Sequence, residues 1–260
     1  GLTEKLDYLE RLGVNAIWIT APYEQMHGWT GGKDDQFPHY AFHGYYALDW
    51  TYMDRNMGTI EEFRTFVTEA HRRGIHVLLD LVPGHTSVEH KWFRESLKPE
   101  KNEFTDRYVW TDSVWEAPES LGCLRGISQR DGSCALNFFT CQPALNYGYN
   151  ERTRPWQQSP EDEGPRATLA AMMDVMRFWL TMGCDGFRVD MAESLVKHDT
   201  PNRDATQEVW RDLNGMVHSE YPEAAMVSEW NGPTMSLNCG IDMDFYLVRF
   251  GNGCNSLPVS

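Results

Sequence analysis

The sequence has no hydrophobic run of the roughly 18 residues that a membrane span needs, and it has no excess of positive charge. Its formal net charge is -15, from 38 acidic and 23 basic residues. Nucleic acids and anionic membrane surfaces repel a chain of this charge. We therefore expect no nucleic acid or membrane partner, and a neutral or cationic ligand instead.

Two kinds of cofactor motif are also missing. The six cysteines include no CxxC pair, so they match no zinc pattern. We expect the cysteines of segment 123–141 to be free thiols rather than a disulfide. No GxGxxG or Walker segment follows an apolar run, which weakens a nucleotide-binding sheet. The 10 Trp, 11 Tyr and 12 Phe would suit a sugar-stacking site, although composition alone favours ordinary core packing.

Amphipathic helices alternate with short apolar strands along the chain. Thr59 precedes the helical segment IEEFRTFVTEAHRR, Gly74 ends it, and the buried strand IHVLLDLV follows. Further strands are predicted at VNAIWIT (14–20, also buried), CDGFRVD (184–190), AAMVSEW (224–230) and IDMDFYLV (241–248). This alternation predicts an α/β fold with a parallel sheet. Because no nucleotide loop is present, a (β/α)8 TIM-type barrel is favoured over a doubly wound sheet.

Two long segments interrupt the alternation, near residues 21–58 and 83–165. Both follow a predicted strand, and such loops build the active-site face of a (β/α) barrel. We therefore interpret residues 1–260 as one partial catalytic barrel. Residues 86–165 are expected to form a subdomain inserted after the strand that carries Asp80.

Three predicted strands end in charged side chains. Asp80 ends one, Arg188 and Asp190 end the second, and Glu229 ends the third. Glycoside cleavage needs an ionised carboxylate to attack the anomeric carbon and a protonated carboxyl to assist the leaving oxygen. Asp190 and Glu229 can supply this pair. Arg188 shares a sheet face with Asp190, so we expect it to keep Asp190 ionised near neutral pH.

Five motifs carry a resemblance to a known family. They are HGYYALDW (43–50), DLVPGH (80–85), QPALN (142–146), GFRVD (186–190) and SEW (228–230). In this order they resemble the signature regions of the α-amylase superfamily, glycoside hydrolase family thirteen. The segment HTSVEHKWFRES (85–96), together with QPALN, favours the oligo-glucosidase, trehalose synthase and sucrose isomerase branch.

The resemblance implies a role for each site residue. Asp190 would be the covalent nucleophile, Glu229 the general acid/base, and Arg188 the side chain that orients Asp190. Substrate contacts are implied for four more residues: His43 and His85 through glucose hydroxyls, Tyr45 by stacking, and Asp80 as support from its strand end.

The chain departs from the family pattern at three places. Gly84 stands where the family usually has Asn, and Ala144 stands where the QPDLN form has Asp. Calcium requires six to eight oxygen ligands, so we expect no structural calcium there, and we predict no other metal or cofactor. The third catalytic acid of the family is missing from its usual position. The His198-Asp199 pair is in the wrong place, and we expect it to be a solvated loop pair.

Mapped onto the family, the chain runs from the helix before the second barrel strand to about the sixth strand. An open barrel leaves strand edges unpaired. We therefore expect the full-length protein to supply the remaining barrel segment and, from a later strand, the third acid.

The expected function is retaining hydrolysis of α-glucosidic bonds in maltooligosaccharides or related α-glucosides. Transglycosylation or isomerisation within the same family is one alternative. The other is a non-catalytic relative that binds carbohydrate or associates with a transporter. Retention of Asp190, Glu229 and Arg188 together favours an enzyme. The cellular compartment is not predicted.

Overall fold

Strands and helices alternate along the computed structural model, which describes residues 1–31, 37–118 and 122–245. The strands are β1 (Ala16–Ile19), β2 (Tyr23–Gln25), β3 (Trp29–Thr30), β4 (His39–Tyr40), β5 (Ala47–Met53), β6 (His76–Leu81), β7 (Cys123–Arg125), β8 (Ser133–Ala135), β9 (Gly186–Val189), β10 (Ala225–Ser228) and β11 (Met243–Asp244). The helices are α1 (Leu6–Arg11), α2 (Ile60–His71), α3 (Lys91–Ser96), α4 (Glu163–Thr181), α5 (Asp204–Glu220) and α6 (Pro233–Asn238).

The central sheet has the order β1-β6-β9-β10-β11, and every pairing in it is parallel. Each strand therefore pairs with the next one of the set along the chain, without reversal. A doubly wound sheet reverses its strand order at a switch point, whereas a barrel does not. Five parallel strands in this order correspond to part of a (β/α)8 barrel, as predicted.

Local sequence signals explain where the helices begin and end. Thr59 and Glu62 form a capping box at the start of α2, because each side chain accepts a hydrogen bond from the backbone N–H of the other. Gly74, in the left-handed conformation at φ +67°, follows the helix and turns the chain into β6. The inward side of α2 buries Phe63 and Phe66 against the sheet. The predicted helix and strand are both confirmed here.

Strand β1 is less buried than the sequence predicted. Its residues alternate between exposed and half-buried, and Trp18 keeps 47% of its surface exposed. The reason is topological, since β1 lies at the end of the described sheet and pairs only with β6. In contrast, β6 lies between two strands and buries Val77, Leu79 and Leu81 completely.

The long segment between β6 and α4 carries α3 and the β7–β8 hairpin. Its residues Phe93, Tyr108 and Cys134 belong to the same buried cluster as the sheet. Helix α4 begins at Glu163, inside the predicted range 86–165. The boundaries of an inserted subdomain therefore stay a prediction.

Other expectations are settled within the described residues. The cysteines there form no disulfide with one another: Cys123, Cys134, Cys141, Cys184 and Cys239. None of the helices described is both long and apolar enough to cross a bilayer. The predicted strand at 241–248 is reduced to β11, and its last residues lie outside the described part of the chain.

Candidate active site

The charged residues singled out in the sequence meet at one edge of the sheet. Asp80 lies near the end of β6 and is in register with Arg188 of β9. Asp190 directly follows β9, and Glu229 directly follows β10. Because parallel strands end at the same edge, these four side chains come from the carboxyl-terminal rim, where barrel enzymes place their chemistry.

Arg188 is the centre of this group. Its Nη1 donates to Oδ1 of Asp80 at 2.8 Å and to Oδ1 of Asp190 at 3.1 Å. Its Nη2 donates to Oε2 of Glu229 at 2.6 Å. One guanidinium therefore binds all three carboxylates, which fixes Asp190 and Glu229 close together and on the same side of the sheet.

Aromatic rings complete the surroundings of this arginine. The guanidinium carbon lies 4.9 Å from the ring centre of Trp18 and 5.7 Å from that of Phe245. These contacts and the carboxylates bury Arg188 almost fully. The neighbouring negative charges raise the pKa of Arg188 despite its burial, so the guanidinium stays charged.

The protonation expected for Asp190 was wrong in direction. We predicted that Arg188 would hold this carboxyl ionised near neutral pH. Instead, burial raises the pKa of Asp190 to about 7, because the loss of water outweighs the attraction of Arg188, and Asp80 and Glu229 add repulsion. Burial also raises the pKa of Asp80. Three carboxylates around one cation cannot all lose their protons without cost.

The turn after β9 contacts Glu229, which follows the neighbouring strand β10. Met191 has the left-handed backbone conformation, with φ 47° and ψ 47°, which is unusual for a residue with a branched or long side chain. In this conformation its backbone N–H lies 3.3 Å from Oε2 of Glu229. The left-handed conformation of Met191 thus places a second hydrogen-bond donor beside the Glu229 carboxylate, which Arg188 already binds.

Tyr45 and His43 stand above this charged group. The hydroxyl of Tyr45 donates to Oδ2 of Asp80 at 2.8 Å, so the half-buried ring is fixed beside Arg188. Nδ1 of His43 accepts from the backbone N–H of Tyr45 at 3.0 Å. Burial lowers the pKa of His43 to about 4, so the ring is neutral at pH 7 and carries its hydrogen on Nε2.

His85 lies deeper than the sequence indicated. It is almost fully buried, and burial lowers its pKa to about 4. Nδ1 lies 3.0 Å from Nδ2 of Asn137 and accepts from it, which leaves Nε2 to donate to the carbonyl oxygen of Tyr45 at 2.9 Å. His85 thus supports Tyr45 through this bond.

These residues line a cavity of about 440 Å³. This volume falls within the range of small-ligand pockets. Five of the predicted residues contribute to its wall, namely His43, Tyr45, His85, Asp190 and Glu229. Arg188 and Asp80 lie beneath them. All seven predicted site residues are therefore brought together.

Several cavity residues were not predicted. They are Phe138, Phe139, Gln142, Met191, Glu193, Trp230 and Asn231. A sequence signal was present for Gln142, which opens the QPALN motif, and for Trp230, which ends SEW. Phe138 and Phe139 lie in the irregular part of the long β6–α4 segment, where no periodicity places a side chain.

Asp199 lies in the loop before α5, as expected, and is partly exposed. Its Oδ1 accepts from the backbone N–H of Ala205 at 3.1 Å, and its Oδ2 accepts from that of Thr206 at 2.8 Å. Both donors belong to the first turn of α5, which otherwise leaves them without partners. Asp199 therefore stabilises a helix start, and it does not contact Arg188.

The place of the family calcium offers few ligands. Gly84 has no side chain, and the fully buried Ala144 forms an isolated β-bridge with His85. Neither position supplies a side-chain oxygen, so these residues do not fit the ion. The absence of calcium at this place stays a prediction.

The sequence matches the family described as "Alpha amylase, catalytic domain" over residues 1–240. The chain belongs to the α-amylase family. Over 246 residues it is 32% identical to the oligo-1,6-glucosidase of Heyndrickxia coagulans, a match that covers 91% of this chain and 39% of that relative. Over 244 residues it is 31% identical to the trehalose synthase/amylase TreS of Mycolicibacterium smegmatis, covering 89% and 36%. The predicted branch of the family is confirmed.

A shorter match is closer in sequence. An 88-residue segment is 62% identical to the periplasmic alpha-amylase of Escherichia coli, which is 33% of this chain and 13% of that protein. Among solved structures, Amy13B of Eubacterium rectale superposes with a TM-score of 0.71 at 27% identity, covering 94% of this chain and 43% of the other. The trehalose-6-phosphate hydrolase of Bacillus licheniformis gives a TM-score of 0.69 at 25% identity, covering 94% and 44%. This α-amylase family chain thus spans less than half the length of these relatives.

Proposed function

We propose that this chain carries most of the catalytic site of a retaining hydrolase that acts on α-glucosidic bonds. The observation that supports the proposal best is the shared guanidinium, because Arg188 binds both Asp190 and Glu229 at the floor of the cavity. Retaining glycosidases need two carboxyl groups on opposite sides of one scissile bond, only about 5 to 5.5 Å apart.

In the proposed reaction, an ionised Asp190 attacks the anomeric carbon of the bound glucose unit. Glu229 donates its proton to the glycosidic oxygen, the bond to the leaving sugar breaks, and a glycosyl ester forms on Asp190. Glu229 then removes a proton from water, which attacks the same carbon and releases Asp190. Two inversions give a product with the original anomeric configuration.

The charge of the site supports the assignment of Asp190 as nucleophile and Glu229 as general acid/base. Arg188 is one cation among three carboxylates, so full ionisation would leave two uncompensated negative charges in a buried site. A proton on one of the carboxyl groups reduces this cost. The reaction requires the proton to lie on Glu229 when the sugar is bound. Met191 N–H and Arg188 would then stabilise Glu229 as it becomes ionised.

We further propose that His43 and Tyr45 position the glucose unit. The neutral His43 presents a donor at Nε2 for a sugar hydroxyl, and the fixed ring of Tyr45 offers an aromatic face. His85 would act on the sugar only after it exchanges its bond to Tyr45. The proposal also includes the third acid on a later strand of the full-length protein, no structural calcium near Gly84, and a subdomain at 86–165 that covers one side of the cavity.

Short α-glucosides are the proposed substrates. The similar proteins are named oligo-1,6-glucosidase and trehalose synthase/amylase, and both names refer to small glucosides or to amylase activity. A pocket of about 440 Å³ fits one or two sugar units better than a long polymer. Hydrolysis is favoured over transfer or isomerisation because it needs no retained acceptor sugar.

Asp190→Asn in the full-length protein is the first test. Loss of the nucleophile is expected to reduce glucose and maltose release from maltotriose by at least about a thousandfold. Asp199→Asn is the matched control, since it makes the same change in a carboxylate that only caps α5, and it should keep activity. Equal release from wild type and Asp190→Asn would remove Asp190 from the mechanism.

The covalent intermediate gives an independent test. A 5-fluoro-α-glucosyl fluoride should label the wild-type protein, and peptide mass analysis should place the sugar on Asp190. Glu229→Gln should still be labelled, because fluoride leaves without a proton donor, whereas its release of natural maltooligosaccharide products should be lost. Label on another residue, or inverted anomeric configuration in the first product, would contradict a retaining mechanism through Asp190.

A further inference from the structure

Three potential metal ligands meet outside the active site. Glu24 is the middle residue of β2, His27 follows three residues later, and Asp54 directly follows β5. Nε2 of His27 lies 3.5 Å from Oε1 of Glu24 and 3.4 Å from Oδ2 of Asp54. The pairing of β2 with β5 holds these residues together.

The distances from Nε2 of His27 to the two carboxylate oxygens distinguish a metal site from a hydrogen-bonded group. They exceed the 2.7 to 3.2 Å of an N–H···O hydrogen bond. However, nitrogen and oxygen ligands placed about 2.1 Å from a tetrahedral Zn²⁺ are separated from each other by about 3.4 Å. The three atoms therefore have the spacing of ligands around an ion rather than that of a hydrogen-bonded ion pair.

Burial of Asp54 gives a second, independent indication. The residue is 1% exposed, and its Oδ2, which is directed at His27, has no hydrogen-bond partner. Its Oδ1 is used separately, because it accepts from the backbone N–H of Asn56 at 2.8 Å. Nε2 of His27 is also buried and without a hydrogen-bond partner. A buried carboxylate oxygen and a buried ring nitrogen without partners are costly, and a cation between them offsets that cost.

We infer that Glu24, His27 and Asp54 bind one divalent first-row transition ion, of which Zn²⁺ fits best. An imidazole with two carboxylates is a zinc ligand set, whereas calcium needs six to eight oxygens and does not use imidazole. The side chain of His27 is 19% exposed, which leaves room for water as the fourth ligand. This inference departs from the sequence-based expectation of no metal, and it does not depend on the proposed function.

The surroundings of His27 suit the inferred site. Nδ1 of His27 lies 3.3 Å from the side-chain amide of Asn56. If Nε2 binds the ion, Nδ1 carries the hydrogen, and the amide oxygen of Asn56 can accept it after a simple exchange of the amide atoms. Ligand histidines in metal sites commonly make such a bond, which fixes the orientation of the ring.

Arg55 opposes the cation and therefore offers a sharp test. Its Nε donates to Oε1 of Glu24 at 2.8 Å, and its side chain is 67% exposed. Binding of the ion requires the guanidinium to turn away from this oxygen into solvent. Removing its charge should strengthen metal binding, while removing His27 should weaken it.

The experiment is titration of the EDTA-treated, dialysed full-length protein with ZnCl₂ by isothermal calorimetry, with zinc content measured after gel filtration. We expect the His27→Gln variant to lose one bound zinc per chain and Arg55→Gln to bind it at least about tenfold more tightly. His71→Gln is the matched control, because His71 contacts Asp185 at 2.7 Å in a different surface group. It should keep the binding of wild type.

Glu24→Gln is a second ligand variant, which tests the site independently if His27→Gln has a folding defect. Circular dichroism should show both variants to be folded. A folded Glu24→Gln with weakened zinc binding supports the inference. No zinc binding by wild type would overturn it, and His27 would then be a partner of two acids only. Equal loss in His27→Gln and His71→Gln would overturn it as well, because zinc would be binding to surface histidines in general. CaCl₂ should give no heat that depends on His27.

Discussion

The carboxylates of Asp190 and Glu229 accept hydrogen bonds from the two terminal nitrogens of one guanidinium. Nη1 of Arg188 lies 3.1 Å from Asp190, and Nη2 lies 2.6 Å from Glu229. Asp190 extends the same strand as Arg188, while Glu229 extends the neighbouring strand. The arginine thus joins two strand ends and sets the separation and the charge of the reacting pair.

The pH profile should report the burial of Asp190. Its pKa is raised to about 7, and the attacking carboxylate must be ionised. We therefore expect kcat/KM to fall about tenfold per pH unit below about pH 7, where Asp190 becomes protonated. The measurement is initial-rate kinetics on maltotriose across neutral pH, with Asp199→Asn as a control of unchanged profile. An acid limb near pH 4, the ordinary range of a carboxyl group, would show that Arg188 outweighs burial in setting the pKa of Asp190.

The same shift should make Asp190 unfavourable for stability at neutral and alkaline pH. The ordinary pKa is 3.8 and the folded value about 7, so the folded state binds more protons between them and loses stability as pH rises. Asp190→Asn removes this cost. We expect it to raise the free energy of unfolding by an amount on the order of 2 to 4 kcal/mol at pH 8, and by much less at pH 4.

Urea unfolding of wild type and Asp190→Asn at both pH values checks this expectation. Asp199→Asn provides the contrast, because that carboxylate caps α5 and the change should not stabilise the fold. A gain for Asp190→Asn that does not depend on pH would point to packing rather than to ionisation.

Gly186, the first residue of the GFRVD motif, should not tolerate a side chain. An added Cβ would lie 1.9 Å from the carbonyl oxygen of Ala225, and the residue has φ +138°. Gly186→Ala should destabilise the fold by roughly 2 to 4 kcal/mol, because β9 and β10 would have to move apart.

Gly215 supplies the control for this change. It lies inside α5 with nothing within 4 Å of an added Cβ. Gly215→Ala should therefore stabilise the fold by about 0.5 to 1 kcal/mol. Thermal unfolding of the two variants should show shifts of opposite sign, and a Gly186→Ala variant as stable as wild type would contradict the close approach of the strands.

Asp244 should act as a positioning residue for Glu229. It accepts from Oγ of Ser228 at 2.6 Å and from the backbone N–H groups of Trp230 at 3.0 Å and Gly232 at 2.8 Å. Glu229 lies between two of these donors. Asp244→Ala leaves them unpaired, and we expect kcat to fall by about tenfold to a hundredfold with little change in KM.

Asp244→Asn keeps one acceptor oxygen and should recover part of the activity. Asp174→Asn, on the exposed side of α4, should behave as wild type. A higher KM with an unchanged kcat would argue that Asp244 contacts substrate and does not act through Glu229.

Local sequence was sufficient for the elements of the barrel. The Thr59–Glu62 capping box and the glycine that follows α2 are short-range signals, and helix, turn and strand formed where they indicated. The acids at strand ends could be located for the same reason, since parallel strands must end at one edge. Burial of β1 could not be predicted, because a strand's burial depends on its neighbours and not on its own composition.

The seven candidate residues were identified by the sequence, but their charge state was decided by the tertiary structure. Asp190 and Arg188 are two residues apart, which indicated an ion pair. The approach of Asp80 and Glu229, which are far away in sequence, and the exclusion of water reversed the expected effect on the pKa of Asp190. Glu24, His27 and Asp54 form a cluster only because β2 pairs with β5. A sequence determines which groups are available and in which local conformation. Their distances across the chain and their access to water, on which ionisation and metal binding depend, are properties of the folded structure.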